Sequence, residues 1–172
     1  MSLDGEMQRV LVAGLQQLNV DFNEFDVSQL IRYIQLLSKW NKVYNLTAVS
    51  DEIAMISHHL LDSIAVLSAL QGDRIVDVGA GAGLPGIALA ILAKDRNFFE
   101  IESNQKKARF MQQVILELGL TNVTVLCQRA ETPCSSANAA IGGSPLAENA
   151  YDTVISRAFA SIANMLSSAG HL

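Results

Sequence analysis

DVGAGAGLPG, residues 77–86, sets four glycines and a proline within ten positions, led by an aspartate. The run that carries it, RIVDVGA (74–80), is short, apolar and rich in β-branched residues, and PGIALAILAK (85–94) after it has helical character. A strand that runs into glycines and then a helix is the setting of a nucleotide-binding turn, because glycine takes positive φ and lets the backbone approach a ligand. Gly81-Ala82-Gly83-Leu84-Pro85-Gly86 fits the dinucleotide pattern G-x-G-x-x-G. On its own that pattern has low specificity in any glycine-rich segment.

The same alternation continues downstream. FFEIES (98–103) reads as a strand and NQKKARFMQQVILELG (104–119) as a helix closed by Gly119 in a C-cap position. NVTVLCQ (122–128) is a third strand and YDTVISR (151–157) a fourth, with a helix expected over 158–170. Strands alternating with helices predict βαβ units and an α/β fold, a Rossmann-like parallel sheet with helices on both faces. Between strands three and four, residues 132–150 are small, polar and glycine-rich, and read as a loop.

Upstream, the pattern is helical throughout. Leu3 to Leu18 forms a first helix by the spacing of Val10, Leu11, Leu15 and Leu18. A second starts near Asp26 or Ser28, both good N-cap residues, and carries an apolar stripe of Leu30, Ile34, Leu37, Trp40 and Tyr44. Asn45 to Val49 break it, and a third helix runs from about Asp51 through Leu60 to Leu67. The predicted organisation is a helical cap over 1–72 and a Rossmann-like core over 73–172.

The 172 residues are 50% hydrophobic and 17% charged, enough apolar surface for a substantial core. No apolar run is long enough for a membrane span, and the N-terminus lacks the pattern of a signal peptide. Cys127 and Cys134 have neither zinc-site nor disulfide-framework spacing, so no metal is expected and a reduced, cytoplasmic protein is. A net charge of −5 argues against nonspecific coating of nucleic acid. Yet Lys94, Arg96, Lys106, Lys107 and Arg109 gather five of the twelve basic residues into one stretch. Two readings stay open there, a solvated helix face and a phosphate-binding patch.

Asp77, two residues ahead of Gly79, turns the glycine run into D-x-G-x-G-x-G, the first motif of methyltransferases that use S-adenosylmethionine (SAM). A carboxylate at a strand end suits the cationic methionine end of SAM, directly or through water, and sits awkwardly beside a pyrophosphate. The bland reading is a surface acid at a strand end. Glu102 closes the second strand, where an acid can accept both hydroxyls of a ribose. That ribose is common to both cofactors, but a dehydrogenase needs a substrate domain for which this chain has no room. SAM is therefore the expected cofactor.

In such folds the end of the fourth strand faces the transferred methyl group, and here it reads Ser156-Arg157-Ala158-Phe159. It contains neither the [D/N]-P-P-[Y/F] motif of amine methylases nor a cysteine for covalent attack on a pyrimidine. Arg157, a donor-only group, suits phosphate, a carbonyl or the N7/O6 edge of guanine. Guanine N7 has an in-plane lone pair and no proton to remove, so its methylation needs alignment rather than a general base. An ordinary salt bridge is the competing role for Arg157.

WNKVYNLTAV (40–49), HHLLDS (58–63), DVGAGAGLPGI (77–87), ESNQKKARF (102–110), RAE (129–131) and SRAFAS (156–161) occur in this order. Together they resemble the bacterial glucose-inhibited division protein B family, 16S ribosomal RNA methyltransferases that form 7-methylguanosine at nucleotide 527. The resemblance spans about residues 25–172. It implies a class I SAM-dependent methyltransferase with an N-terminal helical cap, working on 16S RNA or the small ribosomal subunit. Cofactor contacts would come from Asp77, Gly79, Gly81, Gly83, Leu84, Glu102 and Ser103, with Ala130 and Glu131 near the adenine. Arg157 would close the site between cofactor and guanine. RNA would be met by Asn41, Lys42, Asn45, Lys106, Lys107, Arg109 and Arg129. Trp40 and Tyr44 read as core, and His59 and Asp62, one turn apart, as a pair that orients the cap.

Against the family pattern, the chain stops where about three further strands are expected, the 132–150 spacer is long, and Glu100 replaces an apolar strand residue. A sheet ending at its fourth strand would leave an open edge on an otherwise monomeric protein, inviting association. A small-molecule methyltransferase and an inactive SAM-binding fragment are the rival functions.

Overall fold

The computed structural model describes residues 2–129 and 151–157. The cap begins with α1 (Leu3–Gln17), capped by Ser2, and α2 (Glu24–Tyr44). The start of α2 differs from the sequence reading. Asn23 is the N-cap, and Asp26 is its capping-box partner: each side chain accepts from the other's amide at 3.0 Å. Ser28 instead donates its hydroxyl to the Phe25 carbonyl at 2.7 Å. Asn45, with φ 50°, ends the helix in the left-handed conformation.

The third helix starts as expected, with Asp51 accepting from the Ala54 amide at 2.7 Å. It is not uniform, however. α3 (Glu52–Met55) widens into a π-helical segment, Ile56–Leu61, before tightening into α4 (Asp62–Ile64). Such a segment frequently marks a functional site, and this one contains His58 and His59.

Four parallel strands follow, β1 (Arg74–Val78), β2 (Asn97–Ile101), β3 (Val123–Leu126) and β4 (Thr153–Ile155), in the spatial order β3-β2-β1-β4. α5 (Gly86–Leu92) links β1 to β2, and α6 (Gln105–Leu118) links β2 to β3. α6 is capped by Asn104 at one end and by Gly119, φ 63°, at the other. Strand alternation sorts the side chains. Ile75, Phe98 and Val123 face the large core, whereas Val76, Val78, Ile101, Leu126 and Tyr151 form a second apolar cluster on the opposite face. The helix expected over 158–170 lies outside the described residues.

α5 is buried over Gly86–Ile91 because it lies between the sheet and the cap helices. This layering explains an apolar pattern with no polar face. The large core consequently runs without a break from Met7, Leu11 and Leu30 of the cap to Ile75 and Phe98 of the sheet. Polar ties reinforce it: Gln29 donates to the Leu118 carbonyl at 2.8 Å, and Tyr33 donates to the Ala82 carbonyl at 2.6 Å. Trp40 joins this packing through Phe110, at 5.6 Å between ring centroids. Tyr44 departs from its expected core position. Its ring lies tilted against Trp40, 5.2 Å between centroids, but it is 41% exposed, being the last residue of its helix.

Candidate cofactor and substrate site

The glycine turn leaves β1 at Val78, and Gly79, Gly81 and Gly83 all take positive φ. At Gly81 (φ +62) this conformation aims the amide at the Glu102 carboxylate, which accepts it at 2.9 Å. The other Glu102 oxygen accepts from the Asn104 amide at 2.7 Å. The carboxylate is thus fixed just past β2 with acceptor positions to spare, as a ribose diol requires.

Asp77 lies elsewhere. It shares strand parity with Ile75 and is fully buried under α5, where its Oδ2 accepts from the Gly86 amide at 2.9 Å. Its cross-strand neighbour is Glu100, also fully buried, whose carboxyl donates a hydrogen bond to Asp77 when it carries a proton. A Cβ on residue 86 would stand 2.0 Å from Glu100 Oε1, so Gly86 is what gives that carboxyl room. Burial pushes Asp77 up to about 7, and burial together with Asp77 pushes Glu100 well above the glutamate range. The pair therefore retains a proton at neutral pH.

A cavity of about 240 Å³ opens beside the turn, lined by Leu46, Thr47, Gly79–Ala82, Leu84, Lys107 and Arg157. Of the expected cofactor residues it brings together Gly79, Gly81, Leu84 and Arg157. Gly83 and Asp77 are not on its wall, Glu102 sits behind Gly81, and Ser103 is exposed on the next loop. Ala130 and Glu131 lie outside the described residues. Glycine-turn backbone, the cations of Lys107 and Arg157 on the same cavity and a fixed carboxylate next to Gly81 are a set of groups that fits SAM, the cations suiting its carboxylate and Glu102 its ribose.

A second, polar cavity of about 580 Å³ lies on the cap, lined by Ser38, Asn41, Lys42, Asn45, Thr47, Ala48 and Ser50. Thr47 belongs to both walls. Asn41 spends its amide internally, accepting from the Thr47 amide at 2.8 Å and donating to the Val49 carbonyl at 3.3 Å. Lys42 and Asn45 are exposed. The five clustered cations do not share one face. Lys94 pairs with Asp26 and lies over the Phe25 ring, at the end of α5 remote from the glycine turn. Lys106, Lys107 and Arg109 start α6 beside the turn, and Arg129 is exposed after β3.

His59 and Asp62 do not pair with each other. The His59 ring meets Thr47 Oγ1 at 2.7 Å through Nε2 and the His58 carbonyl at 3.1 Å through Nδ1. Asp62 instead meets Arg157 at 3.5 Å, and Arg157 also donates to the His58 carbonyl at 3.3 Å. The π-helical widening places that carbonyl between the imidazole and the guanidinium. Sequence reading did not name Thr47 or Tyr33 as site residues. Tyr33 carried a signal, a hydroxyl tip on an otherwise apolar stripe, because a buried phenol seeks a hydrogen-bond partner.

A parallel sheet of this order, with a glycine turn after β1 and a fixed acid after β2, defines the class: a Rossmann-like nucleotide-binding fold, which the family match below makes a class I SAM-dependent methyltransferase. Comparison with known sequences then narrows it. The chain belongs to the rRNA small subunit methyltransferase G family, whose model matches residues 26–172. It is 42% identical to the ribosomal RNA small subunit methyltransferase G of Nitrosococcus oceani, over 99% of this chain and 74% of that one. The protein of the same name from Alteromonas mediterranea is 43% identical over 100% and 76%. That from Nitrosospira multiformis is 44% identical over 94% and 69%.

Proposed function

We propose that this chain transfers the methyl group of SAM to ribosomal RNA of the small subunit, at guanine N7 of nucleotide 527. Family membership supports the ribosomal RNA substrate, and the position of Arg157 carries the choice of acceptor atom. Its guanidinium stands on the wall of the cofactor cavity, tied on one side to the His58 carbonyl and Asp62. Those ties leave other N–H donors of the five free for the O6 carbonyl or a neighbouring phosphate.

SAM, when bound, supplies an electrophilic methyl on a sulfonium. The chain's own task is placement. Gly79–Ala82 and Leu84 would bed the cofactor, Glu102 would hold its ribose, and Arg157 would orient the base for in-line approach. No side chain is needed to take a proton from N7. Lys42, Lys106, Lys107 and Arg109 would meet phosphates on either side, which makes RNA binding salt-sensitive.

The test is methyl transfer from labelled SAM to small-subunit RNA, naked or in the particle, with the modified nucleotide mapped by mass spectrometry. A product other than 7-methylguanosine rejects the acceptor assignment. Arg157→Ala with unchanged turnover removes Arg157 from its role.

A further inference from the structure

We propose that Thr47 reads an N–H donor on the acceptor base, and that His59 is the positioning residue fixing the polarity of its hydroxyl. This rests on the reading of the site as one for an RNA base. His59 is 7% exposed, with both nitrogens engaged. The His58 carbonyl can only accept, so Nδ1 carries the proton. Nε2 of the neutral ring is then an acceptor, and the Thr47 hydroxyl must donate to it.

Burial, and after it the nearby Arg157 charge, outweigh the His58 carbonyl's opposing pull and lower the affinity of His59 for a second proton, which keeps the ring neutral. Thr47 Oγ1 also accepts from the Val49 amide at 3.2 Å. A hydroxyl has one proton and two lone pairs; the proton and one lone pair are spent. One acceptor position remains, on a residue that lines both the cofactor cavity and the cap cavity.

Thr47 therefore offers the cleft an acceptor and not a donor. The Watson–Crick edge of guanine carries N1–H and N2–H donors, while its O6 is an acceptor suited to a group such as Arg157 and N7 keeps its lone pair for the methyl group. A threonine locked as acceptor and an arginine that only donates complement the two halves of one base. The Asn41 side chain, holding the Thr47 amide at 2.8 Å, fixes the backbone from which this hydroxyl projects.

The probe is a short RNA containing the acceptor loop of the small-subunit RNA, titrated by fluorescence anisotropy, with SAM affinity measured separately by calorimetry. Thr47→Val and His59→Phe should each weaken RNA binding about tenfold, the worth of one such hydrogen bond, and weaken SAM binding far less, while both lower the thermal midpoint because each leaves a buried hydrogen-bonding group unpaired. Thr47→Ser and His59→Gln, which keep a hydroxyl and an acceptor, should restore binding. The double variant should be no weaker than either single one, because the two residues make one interaction. Undiminished binding by Thr47→Val, or losses that add in the double variant, would overturn the assignment.

Nitrogen-15 NMR of His59 in the unaltered protein tests the bookkeeping without RNA or substitution. The Nδ1–H tautomer is expected, and an Nε2–H ring overturns the proposal. If the tautomer is as expected but the unaltered protein does not bind the RNA, it is the functional reading that has failed.

Discussion

The Tyr33 hydroxyl, on a cap helix, donates to the carbonyl of Ala82, inside the glycine turn, at 2.6 Å. The same oxygen lies 3.3 Å from the Gly83 carbonyl. Tyr33 is fully buried, so the turn's shape is set in part from outside the sheet that bears it. Tyr33→Phe keeps the packing and leaves the Ala82 carbonyl without its donor, while the Gly83 carbonyl keeps the Ile87 amide at 2.9 Å. The expected cost is about 1–2 kcal/mol of stability, read by denaturant titration, with weaker SAM binding by calorimetry. Unchanged SAM affinity would show that the turn is ordered without the cap.

Glu102 is expected to act through its charge as well as its shape. Glu102→Gln swaps an acceptor-only group for one that can present only a single oxygen to the Gly81 and Asn104 amides. SAM affinity should fall about tenfold, while the thermal midpoint of the free protein moves less. A variant with full SAM affinity would remove Glu102 from the cofactor site.

Gly86→Ala should be destabilising. The new Cβ would meet Glu100 Oε1 at 2.0 Å inside a fully buried site. A loss of about 1–3 kcal/mol is expected for overpacking. Combining it with Glu100→Ala should return part of that loss, a coupling readable in a double-mutant cycle. Strict additivity would mean that the two groups do not contend for the same space.

The Asp77–Glu100 pair predicts a pH dependence of known sign. Glu100 keeps its proton in the folded chain well above the ordinary value of 4.5, so the folded state binds more protons than the unfolded one. Its contribution to stability is then present at low pH and declines as pH rises. Glu100→Gln removes that decline. Its stability advantage over the unaltered protein should grow by up to about 1.4 kcal/mol per pH unit above the glutamate range. Thermal melts of both proteins at pH 5 and pH 8 check this; parallel curves would refute it.

The parallel sheet and its helices were legible because each strand ends in punctuation: glycines after Val78, Glu102-Ser103-Asn104 after Ile101. The position of Arg157 followed from the same alternation. Asp77 shows where motif reading outran geometry. Its parity with Ile75 already put it on the core side of β1, but the motif drew it toward the cofactor. Thr47 had no such signal. Its role comes from a ring in a π-helical segment, and that widening has no periodicity by which a sequence announces it. His59 and Asp62 looked like partners at one-turn spacing, and the widening gave each a different one.

The unbroken core beneath cap and sheet has a consequence for how such a protein can change. A substitution at Leu30 or Tyr33 is felt at α5, and through α5 at the strands that carry the glycine turn. The two parts can therefore not be exchanged between relatives as separate modules without refitting the surface between them. A chimera cut near residue 72 would inherit a mismatched interior. The helices before β1 and the strands after them are bound to diverge together, and the buried side of α2 keeps them in step.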